Sequence, residues 1–376
     1  MTDTTAVPPV GYSAPVANNG AAPVANGAGE GGTAAAEERE LLRLSIAAAA
    51  KRAVVAGGTF VLHIPAAPVP VWGEGNRVLA AQGEPTMIDG PAGVGKTTIA
   101  HQLILARMGI RDQVLGLPVL RDDRPVLYIA ADRPPQAQRS LHRMVAEDQR
   151  ALLDERLVVW KGALPHDIGK RPEILPALVE YLGAGTLVID SLKDVAVKLL
   201  DDEVGGQVNH ALQQTALLGT EVFVLHHQRK GQQGVKKPKS LDEVYGSTWL
   251  TAGMGSVIVI WGAAGDLVVE VSHLKQPMEA VGPLTVLHNH ASGVSTVQSG
   301  LDVYELVQAA AHGLTANDAA CAVFGVRDPK PNEIEKARRK LDDLVTRGVA
   351  HKVAGQRGGP GGTRPVLYFP VTRAEP

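Results

Sequence analysis

Short apolar runs, each closed by a turn and followed by a helical period, recur along residues 80–290. Eight of them read as strands: 85–89 (PTMID), 125–131 (PVLYIAA), 157–160 (LVVW), 186–190 (TLVID), 222–227 (VFVLHH), 256–261 (SVIVIW), 267–272 (LVVEVS) and 284–288 (LTVLH). The first five are uninterrupted rather than alternating. Strands buried on both faces have that pattern, which predicts a parallel sheet flanked by helices. The last three follow one another across the short connections GAAGD and PMEAVGP and predict antiparallel strands at one edge.

The flanks read differently. Of the first 36 residues, 20 are Ala, Gly or Pro, with no period, so they predict a disordered tail over 1–36. From Glu37 the text becomes EERELLRLSIAAAAKRAV, with Leu41, Leu44 and Ala48 on one helical stripe, acids first, and Lys51 and Arg52 last. That order suits the helix dipole and predicts a helix leading into the core, or packing on a neighbouring subunit, within 37–80. After the α/β core of 81–292, the small polar residues of 293–300 read as a linker. In 301–376, LDVYELVQAAAH reads as a helix, Thr315 and Asp318 form a capping box opening a second, and Asn332 with Glu335 caps a third. Two apolar runs around a Gly-rich turn then form a hairpin, and three helices followed by a hairpin is the order of a winged-helix domain.

Composition narrows the function. Over 376 residues, 37 basic side chains against 39 acidic ones give a formal charge of −2, which excludes a polycation held on DNA by bulk charge. A single cysteine, Cys321, excludes an internal disulfide framework and a multi-cysteine zinc site. Its neighbours Ala320, Ala322 and Val323 predict a small buried thiol. No run of 18 apolar residues predicts a membrane span. The start MTDTTAVPP lacks the basic and apolar regions of a secretory signal, so a cytoplasmic location is expected.

The clearest chemistry is Gly90-Pro91-Ala92-Gly93-Val94-Gly95-Lys96-Thr97, followed by Thr98, which matches G-x-x-x-x-G-K-[ST] between a strand and a helix. The glycines let consecutive N–H groups point into one concavity, and the helix N-terminus adds partial positive charge. Lys96 is then placed for the β- and γ-phosphates of ATP, and Thr97 for Mg²⁺. Asp190 closes a strand at the crevice of the sheet, where a carboxylate can hold Mg²⁺ through water; the competing role is to cap a following helix. Asp132, closing the strand after the P-loop helix, can orient the attacking water or cap the helix that opens on Pro134 and Pro135. His288 and His290 lack ligands at metal spacing and read as an ordinary loop.

Five passages, DGPAGVGKTT, LYIAADRPPQAQRSL, TLVIDSL, VFVLHHQRKG and YGSTWLTAGMGSVIVI, together resemble the RecA-fold ATPases, and within them the branch of RepA-type hexameric replicative helicases of mobile elements. The resemblance covers about 85–290 and implies a RecA-like P-loop core. It implies that Asp132 stands where the family has a catalytic glutamate, one methylene longer, and that His227 (or His226) senses the γ-phosphate. It also implies that Arg229, Lys230, Lys236, Lys237 and Lys239 lie in a channel loop tracking single-stranded DNA, a run whose bland reading is a solvated loop. Lys275, or one of those cations, would reach a neighbour's γ-phosphate in trans. The implied partners are single-stranded DNA, further copies of the chain in a ring, and a replication protein such as a primase, with no membrane. The competing reading is an ATP-gated DNA-binding regulator, helicase loader or recombination ATPase that unwinds nothing.

Overall fold

A computed structural model describes residues 31–63, 67–228, 236–266, 268–297, 302–310, 313–324, 328–355 and 365–371, with side chains excepted at 31–35, 48, 52 and 309. The chain divides into two compact units, Met1–Ile64 and Pro65–Pro376. The first contains α1 (Gly31–Ala53) and α2 (Gly57–Leu62). Helix α1 starts at Gly31, inside the expected tail, whose first 30 residues lie outside the described ones. The apolar stripe of α1 is exposed at Leu41 and Leu44.

The second unit opens with a hairpin the apolar pattern did not reveal, β1 (Pro70–Glu74) with β2 (Arg77–Ala81). Strand β3 (Thr86–Asp89) leads into α3 (Lys96–Arg107), and the two-residue strands β4 (Gln113–Val114) and β5 (Leu117–Pro118) follow. Then come β6 (Val126–Ala130), α4 (Pro134–His142), α5 (Arg150–Arg156), β7 (Leu157–Lys161), α6 (Ile174–Leu182), β8 (Thr186–Asp190), α7 (Leu192–Val195), α8 (Asp202–Leu217) and β9 (Glu221–Leu225). Helix α9 (Thr248–Ala252), capped by Ser247, precedes β10 (Ser256–Trp261), β11 (Val268–Lys275), β12 (Leu284–Asn289) and β13 (Val294–Val297).

All eight expected strands are present in one nine-stranded sheet of order β13-β12-β11-β10-β3-β9-β8-β6-β7. The segment from β10 to β7 is parallel throughout, and β10 to β13 pair antiparallel. Two expectations change. Ser256–Trp261 is antiparallel to β11, as expected, but is also the sixth parallel strand through its pairing with β3. Residues 293–300, expected as a linker, supply the edge strand β13, because pairing with β12 holds their backbone where apolar content does not.

Alternate strand residues leave the sheet on opposite faces, and both faces are apolar. Ile88, Tyr128, Val188, Phe223 and Ile258 pack with Ile99, Leu103 and Ile104 of α3 and with Trp72 and Leu79 of the hairpin. Met87, Leu127, Ile129, Leu187, Ile189, Val222, Val224 and Val257 pack with α6, α7, α8 and α9 through Leu175, Leu192, Leu212 and Leu250. With β3 and β6 separated by β9 and β8, the chain reverses direction across the sheet between them, and a crevice opens at the carboxyl ends of these strands.

The C-terminal segment folds as three helices, α10 (Val303–Ala309), α11 (Ala316–Phe324) and α12 (Pro331–Thr346), and an antiparallel hairpin, β14 (Ala350–Val353) with β15 (Leu367–Pro370). Leu314 bridges Tyr368 as a short third strand. Val307, Ala320, Leu341, Leu344 and Tyr368 form its core, and Arg77 of β2 ties it to the sheet domain through Glu305 at 2.6 Å. Asp318 N–H donates to Thr315 Oγ1 at 3.0 Å, as the capping box requires. The third helix starts earlier than expected: Pro331 occupies its first turn and Glu333, not Glu335, accepts from the Lys330 N–H at 2.7 Å. Cys321 is half-buried rather than buried.

Candidate active site

The phosphate loop, residues 90–97, turns where β3 meets α3. Gly90, Gly93 and Gly95 all have positive φ. Two of them are also sterically constrained: a Cβ on Gly90 would meet the Ile260 carbonyl, and one on Gly95 would meet the His288 ring. Gly95 at φ 92 directly precedes α3, so the first turn's N–H groups face a cleft of about 740 Å³. Lys96 points back along the loop, donating from Nζ to the carbonyls of Gly90 at 2.6 Å and Pro91 at 2.7 Å. Burial lowers its pKa to about 8 against the pull of Asp89 and Asp190.

Three strand ends bring the remaining groups to this cleft. Thr97 Oγ1 donates to Asp190 Oδ2 at 2.8 Å, and Tyr128 donates to the same oxygen at 3.1 Å. Burial raises the Asp190 pKa, and these two hydrogen bonds oppose the rise. Asp190 does not cap α7, whose N-cap is Ser191. Asp132 also lines the cleft, its amide bonded to the Asp190 carbonyl at 3.1 Å. Nor does it cap α4: the N-cap is Arg133, at φ 49, which folds its guanidinium onto the Asp132 carboxylate at 3.2 Å. Burial raises the Asp132 pKa, but Arg133, Lys193 and His227 outweigh it and hold the carboxyl below its usual range.

The two histidines after β9 diverge. His227 Nδ1 lies 3.2 Å from Lys96 Nζ, and burial followed by the charges of Lys96 and Lys193 lowers its pKa to about 4. It is therefore neutral and can accept from the ammonium. His226 turns away, fully buried, with Nε2 donating to the Tyr245 carbonyl at 2.6 Å. Gln228 then donates to Asp89 at 2.5 Å, so three consecutive residues fasten the root of the following loop to the base of the phosphate site.

Thr97 and Asp190 are hard oxygen donors at one edge of the cleft, a set that fits Mg²⁺ and not a softer metal. A family model described as AAA domain matches residues 75–233, the stretch carrying the phosphate loop, Asp132 and Asp190. This is a P-loop ATPase core. Among solved structures, the core is similar to one whose title describes an ATPase domain, at 14% identity and TM-score 0.42, over 57% of this chain and 85% of that chain. No curated protein matches.

The cations expected to act beyond the ATPase centre are dispersed. Arg229 and Lys230 lie outside the described residues. Lys236 and Lys239 are exposed, whereas Lys237 is engaged with Glu270 and Ser272 of β11. Lys275 faces Val257 at the start of β10, the end of the sheet away from the phosphate loop, and donates to the Thr251 and Ala252 carbonyls at 3.2 and 2.8 Å. No described helix is long and apolar enough to cross a membrane.

Several site residues escaped the sequence reading. Lys193 on α7 stands 3.8 Å from Asp132 and 3.0 Å from Asp194. Its signal was present, a lysine three residues beyond the strand-ending Asp190. His288 carries the phosphate loop from below, its Nε2 on the Val94 carbonyl at 3.0 Å and its Nδ1 on Ser295 at 2.8 Å. With both ring nitrogens engaged, it is a brace rather than a loop histidine. Arg139 and Arg143 of α4 form a basic wall of the same cleft, which no spacing in the sequence indicated.

Proposed function

We propose that this chain is an ATP-hydrolysing, DNA-binding motor of replication, similar to RepA-type ring helicases. The observation that carries the reading is the contact of His227 with Lys96 at the root of a basic loop: the residue beside the phosphate-binding lysine is two positions from Arg229. A change at the γ-phosphate is thereby one side chain from the segment able to hold a nucleic-acid backbone.

In this reading the amides of residues 90–97 and the Lys96 ammonium bind the β- and γ-phosphates, Nζ exchanging the Gly90 and Pro91 carbonyls for phosphate oxygens. Thr97 and Asp190 hold Mg²⁺, which supplies neutralising charge to the phosphate oxygens. Asp132, ionised at neutral pH, orients water for attack. His227 reports phosphate loss to the loop of Lys236, Lys237 and Lys239, and Lys275 is the cation that acts on a neighbouring copy. The C-terminal helices and hairpin form a winged-helix domain. Single-stranded DNA, further copies in a hexameric ring and a primase are the partners that follow, in the cytoplasm.

A second reading is favoured by Asp132 itself. It is shorter than the family's glutamate and ion-paired with Arg133, which suits slow, assembly-dependent hydrolysis in a DNA-binding regulator or loader. One set of measurements separates the two. The motor gains ATPase activity on single-stranded DNA, assembles with ATP and Mg²⁺, and displaces a strand from a fork. The regulator binds DNA with ATP but displaces nothing. Absence of DNA-dependent turnover and of assembly alike sinks both.

A further inference from the structure

Tyr128 is one residue of an apolar strand and His101 one residue of an apolar helix, yet they meet in a continuous buried chain of hydrogen bonds ending on Asp190. Tyr128 is 1% exposed, His101 0% and Ser140 7%. His101 lies four residues beyond Thr97, on the same face of α3; Tyr128 lies on β6 beside β8; Ser140 lies on α4, in the cleft wall. Their contacts run Ser140 Oγ to His101 Nδ1 at 3.0 Å, His101 Nε2 to Tyr128 hydroxyl at 3.0 Å, and Tyr128 hydroxyl to Asp190 Oδ2 at 3.1 Å. The His101 and Tyr128 rings meet edge-on, 5.2 Å between centroids.

Only one arrangement of protons satisfies all three bonds with Asp190 ionised. A carboxylate can only accept, so the Tyr128 hydroxyl donates to it. The Tyr128 oxygen then accepts from His101 Nε2–H, which leaves a lone pair on Nδ1 for the Ser140 hydroxyl to fill. His101 is suited to this as a neutral ring, since burial and then Arg143 lower its pKa to about 3. Thr97 and Tyr128 both donate to Oδ2, and no described residue donates to Oδ1.

We propose that Tyr128 is a positioning residue for the divalent cation: held by His101 and Ser140, it fixes the Asp190 carboxylate by Oδ2 so that Oδ1 faces the cleft. The chain also ties α3, β6, β8 and α4 together beneath the phosphate site, so the carboxylate keeps one orientation whether or not nucleotide is bound. This rests on the ATPase reading of the cleft and names the part of the protein that sets its metal requirement. Side chains that orient a metal ligand generally change metal affinity by about 10–100-fold when removed.

The test uses the full chain and a non-hydrolysable ATP analogue, bound with EDTA and again with Mg²⁺. Tyr128→Phe should bind the analogue in EDTA as the parent does, while the gain conferred by Mg²⁺ shrinks by about tenfold. In turnover, the Mg²⁺ concentration for half-activity should rise by a similar factor and kcat fall, with the KM for ATP unchanged. His101→Gln, which keeps an N–H for Tyr128, should give an effect smaller than Tyr128→Phe. An unchanged Mg²⁺ dependence in Tyr128→Phe overturns the proposal. Should that variant not fold, Ser140→Ala and His101→Gln carry the test, and a parental Mg²⁺ dependence in both overturns it. A parent that binds no analogue under either condition overturns the ATPase reading instead.

Discussion

Lys96 Nζ faces His227 Nδ1 at 3.2 Å, a cation against a ring that burial keeps neutral. The ammonium is itself easily discharged, its pKa brought down to about 8 by burial. Phosphate at the loop favours the charged form, so binding ATP raises that pKa. Above pH 8 the free protein must therefore take up a proton to bind, and affinity should fall as pH rises further; at pH 6.5 the lysine is already charged and uptake vanishes. Calorimetry at pH 8.5 in phosphate and in Tris should give binding heats differing in proportion to the buffers' ionisation enthalpies. Equal heats would show that Lys96 does not titrate there.

Asp132 and Arg133 form an ion pair at the cleft, with the carboxylate kept ionised. Asp132→Asn removes the charge and the base while preserving volume. Turnover should fall by about 10²–10⁴-fold with ATP affinity within twofold, read from steady-state rates and equilibrium binding of ATP analogue. A variant with parental kcat removes Asp132 from the chemistry.

Gly95 combines φ 92 with the His288 ring above it. Gly95→Ala meets two obstacles: left-handed backbone, costing an alanine about 1–2 kcal/mol, and displacement of a ring that braces Val94. Its melting temperature and nucleotide binding should both drop. Adding His288→Ala makes room for the methyl group but leaves the dihedral, so it should recover part of the loss relative to Gly95→Ala alone. A Gly95→Ala protein that melts with the parent refutes the steric argument.

His101, His227 and His273 are buried neutral, with pKa values brought to about 3, 4 and 4. Unfolded histidines bind a proton near pH 6.5, so below that pH the unfolded chain holds more protons than the folded one and stability falls with pH. Each such group contributes up to about 1.4 kcal/mol per pH unit, from 6.5 down to its folded value. Thermal melts should move to lower temperature between pH 7 and pH 5, and His101→Gln should make the fall shallower. Flat melting temperatures over that range contradict the burial of these rings as neutral species.

What the sequence revealed and what it hid follow from how local each signal is. The eight strands and the phosphate loop announce themselves within a few residues, by apolar runs and by glycine spacing. The pairing of β10 with β3 joins residues about 170 positions apart and has no local mark. Strand β13, VSTV, is too small and polar to stand out and exists through β12. The alternation of a strand sends His226 and His227 to different sides, but only the packed sheet decides which reaches Lys96. Tyr128 and His101 look like ordinary core residues, because a buried polar chain is defined by its partners and not by any spacing.

The charges of the C-terminal module show the same limit, with a functional consequence. Lys336, Arg338, Arg339 and Lys340 on α12 suggested a basic helix, but Arg338 is paired with Glu335 at 2.7 Å and Asp342 at 2.8 Å, and Arg339 with Glu335 at 3.1 Å. Lys352 of the hairpin is paired with Asp342 at 2.7 Å. The two arginines hold the Glu335 carboxyl down at about 2, so these pairs persist throughout the neutral range. Two acids thus occupy three cations of the module. If it meets DNA through phosphates, Glu335→Gln with Asp342→Asn should tighten binding and steepen the dependence of log K on log salt by about one per cation released. Exposed pairs add little to stability, so the melt should barely move. Duplex binding by the full chain, titrated from 50 to 200 mM salt, reads both quantities. A salt slope identical to the parent's assigns the module to protein contacts, and the nucleic-acid role then rests on the loop after His227 alone.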